Sequence, residues 1–265
     1  MKTRWLLLAI IFFLILYVWP SKKHENTRQR LREDIIAAFG SRIPLTWGEH
    51  VPGVKTRLDT EEKVIALTLD ACGSANDGFD ADLINYLIVE RVPATLFINA
   101  RWIDKNPQAF KSLSSNDLFE IENHGFGHKP CSIVGKSAYG IRGTGNAAEV
   151  VDEIEKNAEK IRILTGRKPM FYRSGTAYYD EVAVEIVYHL GYEVVGFSIL
   201  GDAGATYSKE QVKDAILKRA FAGAIIICHM NHPGSQTSQG LKQVIPELKK
   251  IGYRFVVLAD YRLAN

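Results

Sequence analysis

Cysteine is scarce in this chain, which contains three cysteines among its 265 residues. An odd number cannot pair completely within one molecule, so a framework held only by intramolecular disulfides is excluded. One disulfide, between Cys72 and Cys131, remains possible, because an oxidising compartment would favour it. The alternative is that both of them, together with Cys228, are buried free thiols.

A phosphate-binding glycine fingerprint is also absent, since no G-x-G-x-x-G segment follows the first predicted strand. This absence removes the main support for a nucleotide-binding sheet. The net charge is only +3, and the main part of the sequence has neither a basic stripe nor a recognisable RNA- or DNA-binding module. Nucleic acid is therefore not an expected partner.

Long apolar runs are confined to the N-terminus, where residues 5–19 are apolar and Pro20 ends the run. Lys2 and Arg4 precede the run, and basic residues follow it, a pattern that favours a membrane surface. We expect residues 1–20 to be an uncleaved membrane anchor, with a cleaved signal segment as the alternative.

Either form of the N-terminal segment would place the remaining chain outside the cytoplasm, in the periplasm or at the cell surface. Residues 21–53 are polar and partly helical in pattern, so we interpret them as a connector. Residues 54–265 would then form the folded catalytic domain, a length that suits one α/β barrel.

Short apolar runs alternate with helical patterns from residue 63 onward. The predicted strands cover residues 64–69, 94–99, 118–122, 170–173, 193–198, 224–228 and 253–258. The predicted helices cover residues 80–90, 106–115, 146–164, 180–190, 208–221 and 239–250. Strands separated by helices pair in parallel, and strands that are apolar on both faces are buried on both. The sequence predicts an α/β fold, either an open sheet or a barrel.

Polar side chains of the kinds used in catalysis follow several of the predicted strands, at the point where each strand ends. These residues are Asp70, His124, His128, Arg173, Asp202 and His229. In a parallel barrel the carboxyl ends of all strands meet at one rim, which is where the active sites of such barrels lie. The sequence therefore predicts that these side chains share one site.

The spacing of His124 and His128 can bring two imidazoles to one metal ion, although a pair of loop histidines without metal is the alternative. Imidazole ligands favour zinc, with cobalt, nickel or iron also possible. Arg173 can hold and orient the Asp70 carboxylate. A carboxylate base, an imidazolium acid and a metal together are suited to hydrolysing an acyl bond.

Five segments in this order resemble the motifs of the polysaccharide deacetylases, carbohydrate esterase family 4, also called the NodB-homology domain. Residues 68–73 (TLDACG) are similar to the first motif, T-F-D-D-G, and residues 120–128 (EIENHGFGH) to the second, E-I-x-N-H-x-x-x-H. Residues 171–173 (FYR) resemble the start of the third motif. Asp202 stands where the fourth has its aspartate, and residues 225–229 (IIICH) resemble the fifth.

This resemblance covers roughly residues 63–258 and implies a distorted (β/α)7 barrel that removes N-acetyl groups from cell-envelope sugars. It implies that Asp70 is the base that deprotonates the attacking water. It also implies that His124 and His128 bind a divalent metal, for which zinc is favoured.

The resemblance further implies that Arg173 tethers the Asp70 base. His229 would then protonate the leaving amine while Asp202 holds its imidazole. His232, close to His229 in sequence, is interpreted as a structural residue near the site.

The chain departs from the family where Ala71 stands in place of the aspartate that normally supplies a third metal ligand. Asp70 itself or Asp80 is the favoured replacement, and Asp77 and Cys72 are the other candidates. Residues 174–176 (SGT) also replace the family's proline segment, which could shape a different substrate groove.

The leading hypothesis is a metal-dependent N-deacetylase acting on an acetylated amino-sugar polymer, with peptidoglycan favoured as the target. An O-acetyl esterase or an amidase using the same site is a second hypothesis. A glycan-binding domain that has lost its metal is a third, but a binding domain has no need for an acid–base set.

Overall fold

The computed structural model describes residues 27–265, so the predicted N-terminal anchor, residues 1–20, lies outside the part described. None of the helices within 27–265 is long and apolar enough to cross a membrane. The helices are α1 (residues 27–39), α2 (Ala81–Val89), α3 (Ala100–Lys105), α4 (Pro107–Ser114), α5 (Ala147–Thr165), α6 (Glu181–His189), α7 (Lys209–Leu217) and α8 (Thr237–Lys250).

The strands are short, apart from four that form the centre of the fold. They are β1 (Trp47–Gly48), β2 (Arg57–Leu58), β3 (Val64–Ala71), β4 (Ala94–Ile98), β5 (Phe119–Asn123), β6 (Ser137–Ala138), β7 (Ile141–Arg142), β8 (Phe171–Tyr172), β9 (Tyr179–Asp180), β10 (Glu193–Val194), β11 (Ile199–Leu200), β12 (Ala224–His229), β13 (Arg254–Val256) and β14 (Leu263–Ala264). A 3₁₀ turn at Leu258–Asp260 separates the last two.

The seven predicted strands correspond to β3, β4, β5, β8, β10, β12 and β13, and all of them pair in parallel within one curled sheet. The predicted α/β fold with a distorted barrel is thus confirmed. Three short strands of this sheet were not predicted: β11, which is parallel to β12, and β2 and β14, which run antiparallel to their neighbours. Pairs of two residues are too short to produce a periodic pattern in the sequence.

Alternation along the central strand β3 sends its side chains to two different places. Ile65, Leu67, Leu69 and Ala71 pack in the apolar cluster shared with α2 and α8. Residues of the opposite parity, including Thr68 and Asp70, face the barrel interior, because successive strand side chains point to opposite faces. Strand β12 alternates in the same way, so His229 faces the interior too.

The predicted strand 193–198 is shorter in the structure, where β10 covers only Glu193–Val194, and the next strand, β11, begins beyond the predicted range. Residues of β10 pair with β8, whereas β11 pairs with β12, so this segment links the two ends of the curled sheet. Strand β10 ends where Val195 and Gly196 direct their carbonyl oxygens to the buried guanidinium of Arg173. The carbonyl oxygens that follow β10 therefore accept hydrogen bonds from a side chain.

Local signals set the helix boundaries well. Asp80, Asn146 and Asp180 cap α2, α5 and α6, each accepting a hydrogen bond from a backbone N–H of the first turn. Ser208 and Gln211 form the predicted capping box of α7, although that helix ends four residues earlier than expected.

Part of the segment expected to be a polar connector packs against the folded domain. Helix α1 buries Ile35 and Phe39 in the same core cluster as Val54. On the surface, Arg42 forms a bidentate ion pair with Glu185 of α6. The described part of this segment is therefore attached to the barrel through both apolar and charged contacts.

Candidate active site at the carboxyl rim of the barrel

The strand register brings the ends of four parallel strands together. Asp70 on β3 is the direct partner of His229 on β12. Asn123, which precedes His124, pairs with Tyr172, which precedes Arg173. The side chains predicted from the strand ends therefore share one rim, which is the arrangement expected for a parallel barrel.

Arg173 is fully buried, and each of its three guanidinium nitrogens donates a hydrogen bond. Its Nη1 donates to Asp70 Oδ1 at 2.7 Å and to Thr68 Oγ1 at 2.8 Å. Its Nε and Nη2 donate to the carbonyl oxygens of Val195 and Gly196 at 3.1 and 2.7 Å. The guanidinium fixes one oxygen of Asp70, which leaves the other oxygen, Oδ2, facing His124 Nε2 at 3.6 Å.

Asp202 and His229 form a second charged pair. Asp202 Oδ1 lies 2.8 Å from His229 Nδ1, and Oδ2 accepts hydrogen bonds from the His229 backbone N–H and from Thr237 Oγ1. Burial lowers the pKa of His229, but the charge and hydrogen bond of Asp202 outweigh it and raise the pKa to about 9. Burial likewise opposes ionisation of Asp202, yet its interactions with His229 lower its pKa overall. The imidazolium is therefore available as an acid at neutral pH.

His124 and His128 are buried, and their rings stand edge to face with centroids 5.0 Å apart. His124 Nδ1 lies 2.9 Å from the Arg173 carbonyl oxygen, which fixes Nδ1 as the donor and leaves the lone pair on Nε2 free. Burial lowers the pKa of both imidazoles, that of His128 well below its usual value. Both are thus neutral, which is the form that binds a metal.

His128 Nε2 is buried without a hydrogen-bond partner. Such an atom is rare in a folded protein and indicates a missing ligand. Together with His124 and Cys72 it belongs to a group whose potential ligand atoms lie within 4.8 Å of one another, the one group of this kind within 27–265. These donors fit a divalent metal ion.

The other candidates for the third ligand are placed elsewhere. Asp80 caps α2 through a hydrogen bond from Leu83 N to Oδ1, so the expectation that Asp80 folds back onto the histidines is not met. Asp77 Oδ1 lies 3.7 Å from His232 Nε2. His232, which was interpreted as a structural residue, therefore contacts this carboxylate. Asp70 contacts His124 but is not a member of the three-residue group.

All three cysteines are free thiols, so the disulfide that was considered between Cys72 and Cys131 is not formed. Cys72 lies at the site, 3.8 Å from His124 Nε2. Burial and the nearby Asp70 raise the pKa of the Cys72 thiol well above its usual value. Without a cation the sulfur keeps its proton, which a bound divalent ion would displace.

Glu153 of α5 holds the loop that carries the histidines, a role that sequence reasoning missed. Its carboxylate accepts hydrogen bonds from the backbone N–H groups of Gly127 and Lys129, and its carbonyl accepts one from Phe126. Burial raises the pKa of this carboxyl group. The sequence did contain a sign of this role, because Glu153 precedes Ile154 at a position that the helical periodicity assigns to the buried face of α5.

Gly175 packs directly on His128, at the segment where the chain departs from the family's third motif. A methyl group at this position would lie within 2.6 Å of the His128 ring carbon Cγ and closer still to its backbone. Only a glycine fits this contact, so residues 174–176 help to position the second histidine.

The Gly175→Ala variant is expected to have a free energy of unfolding lower by about 1–3 kcal/mol, because the added methyl group overpacks the His128 loop. Chemical denaturation measures this difference. Gly234→Ala is the matched control, since a methyl group there meets open space. Equal stability of the two variants would contradict the close contact with His128.

A cavity of about 660 Å³ opens onto these groups. Asp70, Cys72, His128 and His229 line its floor, and Tyr139 is among the residues of its wall. The volume lies in the range of small-ligand sites and can hold a sugar unit. The candidate acid, the candidate base and two of the three candidate metal donors, Cys72 and His128, therefore face one space that a substrate can enter.

Residues 57–195 match the family model described as polysaccharide deacetylase. A curated relative, the peptidoglycan-N-acetylmuramic acid deacetylase PdaA of Bacillus subtilis, is 26% identical over 206 residues, covering 76% of this chain and 72% of the relative. A peptidoglycan-N-acetylglucosamine deacetylase of Bacillus cereus is 24% identical over 210 residues, covering 78% of this chain and 92% of that protein.

Solved structures show the same fold. One is a family 4 carbohydrate esterase from Bacillus anthracis described as a pseudoenzyme, with a TM-score of 0.65 and 20% identity over 80% of this chain and 69% of that chain. The fold therefore occurs both with and without activity. Whether a member catalyses a reaction has to be argued from its site residues.

Proposed function

Because this chain belongs to the polysaccharide deacetylase family, we propose that it is a metal-dependent hydrolase that removes N-acetyl groups from amino sugars of a cell-envelope polysaccharide. Peptidoglycan is the proposed target, since two of its relatives are named as peptidoglycan deacetylases. The observation that carries the proposal is the pairing of Asp70 with His229 on neighbouring strands, at the floor of one cavity.

The two charged residues are suited to opposite proton transfers. Arg173 holds Asp70 in position, so the free oxygen of this carboxylate can accept a proton from a water molecule that attacks the acetyl carbonyl carbon. His229, held protonated by Asp202, can donate a proton to the sugar nitrogen as the carbon–nitrogen bond breaks. The products are acetate and a free amine, and each transferred proton has a defined donor and acceptor.

A divalent metal, with zinc favoured, would be held by His124, His128 and a third residue. When bound, such an ion supplies Lewis acidity toward the acetyl carbonyl group and lowers the pKa of water. The unpartnered Nε2 of His128 and the fixed Nδ1 of His124 support this assignment. Asp70 remains the proposed base and is a weaker candidate for the third metal ligand.

An envelope glycan lies outside the cytoplasm, so we propose an extracytoplasmic location for the domain. The apolar run of residues 5–19 would anchor the protein to the membrane. A fusion of residues 1–30 to a reporter protein tests this part, because the reporter should become membrane-bound and accessible from outside. A soluble cytoplasmic reporter would contradict the proposal.

Incubating the protein with peptidoglycan, N-acetylated chito-oligosaccharides and O-acetylated xylan tests the activity. We expect acetate and free amine in equal amounts from an N-acetylated substrate, and loss of both after chelation of the metal. Acetate from xylan alone would identify an O-acetyl esterase. Binding without any acetate release would identify a glycan-binding domain.

A further inference from the structure

Cys72, the residue after Ala71, lies close to both histidines of the site. Residues of β3 alternate between the helix-facing cluster and the barrel interior, and Ala71 lies in the helix-facing cluster. Ala71 therefore points away from the site. Cys72 follows the last residue of β3, and its sulfur lies 3.8 Å from His124 Nε2. Cys72, not Ala71, is the residue that returns to the interior beside the base.

We propose that Cys72 supplies a thiolate as the third protein ligand, which makes a Cys–His–His metal site with His124 and His128. This inference rests on the proposed function and makes it more specific, since it replaces a carboxylate ligand with sulfur. The three potential ligand atoms lie within 4.8 Å of one another.

The separation between the Cys72 sulfur and the His124 nitrogen can be compared with that around a tetrahedral ion. Zinc–sulfur bonds of about 2.3 Å and zinc–nitrogen bonds of about 2.0–2.1 Å would separate the sulfur from each nitrogen by about 3.6 Å. The observed distance from Cys72 Sγ to His124 Nε2 is 3.8 Å, only slightly longer than that separation. The buried, unpartnered His128 Nε2 independently indicates a ligand at this point.

Using sulfur as the third ligand leaves Asp70 free to act as the base. Asp70 Oδ1 is held by Arg173, and its Oδ2 is the single oxygen left for a proton. A thiolate carries the same charge as a carboxylate, so the net charge of the site is unchanged. Thiolate and imidazole ligands select zinc and cobalt over magnesium, calcium and manganese.

Titration with cobalt(II) in place of zinc tests the ligand directly. We expect the wild-type protein to bind one ion and to show the near-ultraviolet absorption of a sulfur-to-cobalt charge transfer. In Cys72→Ala this absorption should disappear and the affinity should fall by about 100-fold or more, since even residues behind the ligands change affinity 10–100-fold. Cys72→Asp should bind the ion without the absorption band.

Cys131→Ala is the matched control, because it removes one thiol that is buried away from the site. It should keep the absorption band and the affinity of the wild-type protein. Thermal unfolding without metal shows whether each variant is folded. Cys72 is only partly buried, whereas the other two thiols are fully buried, so zinc should protect Cys72 selectively from alkylation.

A Cys72→Ala variant with unchanged band and affinity would overturn the proposal. If that variant also released acetate in a metal-dependent way, the proposed function would stand with a different third ligand. A wild-type protein that binds no cobalt and shows no protection of Cys72 would overturn the sulfur ligand as well as the metal dependence of the proposed function.

Discussion

Replacing Asp70 with asparagine is expected to lower kcat by about 10²–10⁴-fold, the usual contribution of one general acid or base. Asparagine keeps a similar shape and can still accept a hydrogen bond from Arg173, but it cannot take a proton from water. Substrate binding should change little, because the loss concerns proton transfer and not contact with the sugar. Steady-state kinetics on an N-acetylated oligosaccharide measures the change.

Stability has to be separated from catalysis in this variant, since Arg173 would lose its buried counter-charge. Breaking such a pair costs about 3–5 kcal/mol. Thr68→Val is the matched control, because it removes another acceptor of Arg173 Nη1 and leaves the Asp70 carboxylate in place. We expect it to be less stable and still active. A folded Asp70→Asn protein with near-normal kcat would remove Asp70 as the base.

Replacing Asp202 with asparagine is expected to move the alkaline limit of kcat to lower pH. In the wild-type protein that limit should lie near pH 9, because the acid form of His229 is lost as the pH passes its pKa of about 9. Without the charge of Asp202, burial would dominate and lower this pKa. An adjacent opposite charge shifts a pKa by about 1–3 units, so the limit should fall by a similar amount.

The pH profile of kcat measures this shift, and Thr237→Val supplies the matched control. Thr237 donates a hydrogen bond to Asp202 Oδ2, so this change alters the same carboxylate without removing its charge. Its alkaline limit should stay near that of the wild-type protein. An Asp202→Asn profile with an unchanged alkaline limit would show that His229 is not the group that must be protonated.

Folding stability should follow the same ionisation. The pKa of His229 is higher in the folded protein than its usual value of 6.5. Its stabilising contribution is therefore fully present below pH 6.5 and is lost as the pH rises toward 9. The Asp202→Asn variant should lack this loss, which denaturation at several pH values can measure.

The positions of the side chains that we propose to be catalytic could be predicted, because parallel strands all end at one edge. The apolar run of β3 ends at the site, and that of β12 ends in His229, so each strand brings a functional residue to the rim. The helix caps were equally local, as Asp80 and Ser208 show. These features depend on spacing along the chain, which the sequence contains directly.

Features that depend on packing between distant segments could not be predicted. Arg173 donates hydrogen bonds to the segment between β10 and β11, and the steric need for Gly175 arises from its contact with His128. Cys72 is an intermediate case. It stands two residues after Asp70 in the sequence, but the contact of its sulfur with His124 forms only in the folded chain.

The most direct test of the account is the reaction of an N-acetylated oligosaccharide in water enriched in the heavy oxygen isotope, with mass spectrometry of both products. We expect one heavy oxygen in each released acetate, none in the sugar and an intact chain of sugars, because water attacks the acetyl carbon beside Asp70 and His229. Heavy oxygen in the sugar, or binding of the oligosaccharide without release of acetate, would contradict the proposed hydrolysis at this site.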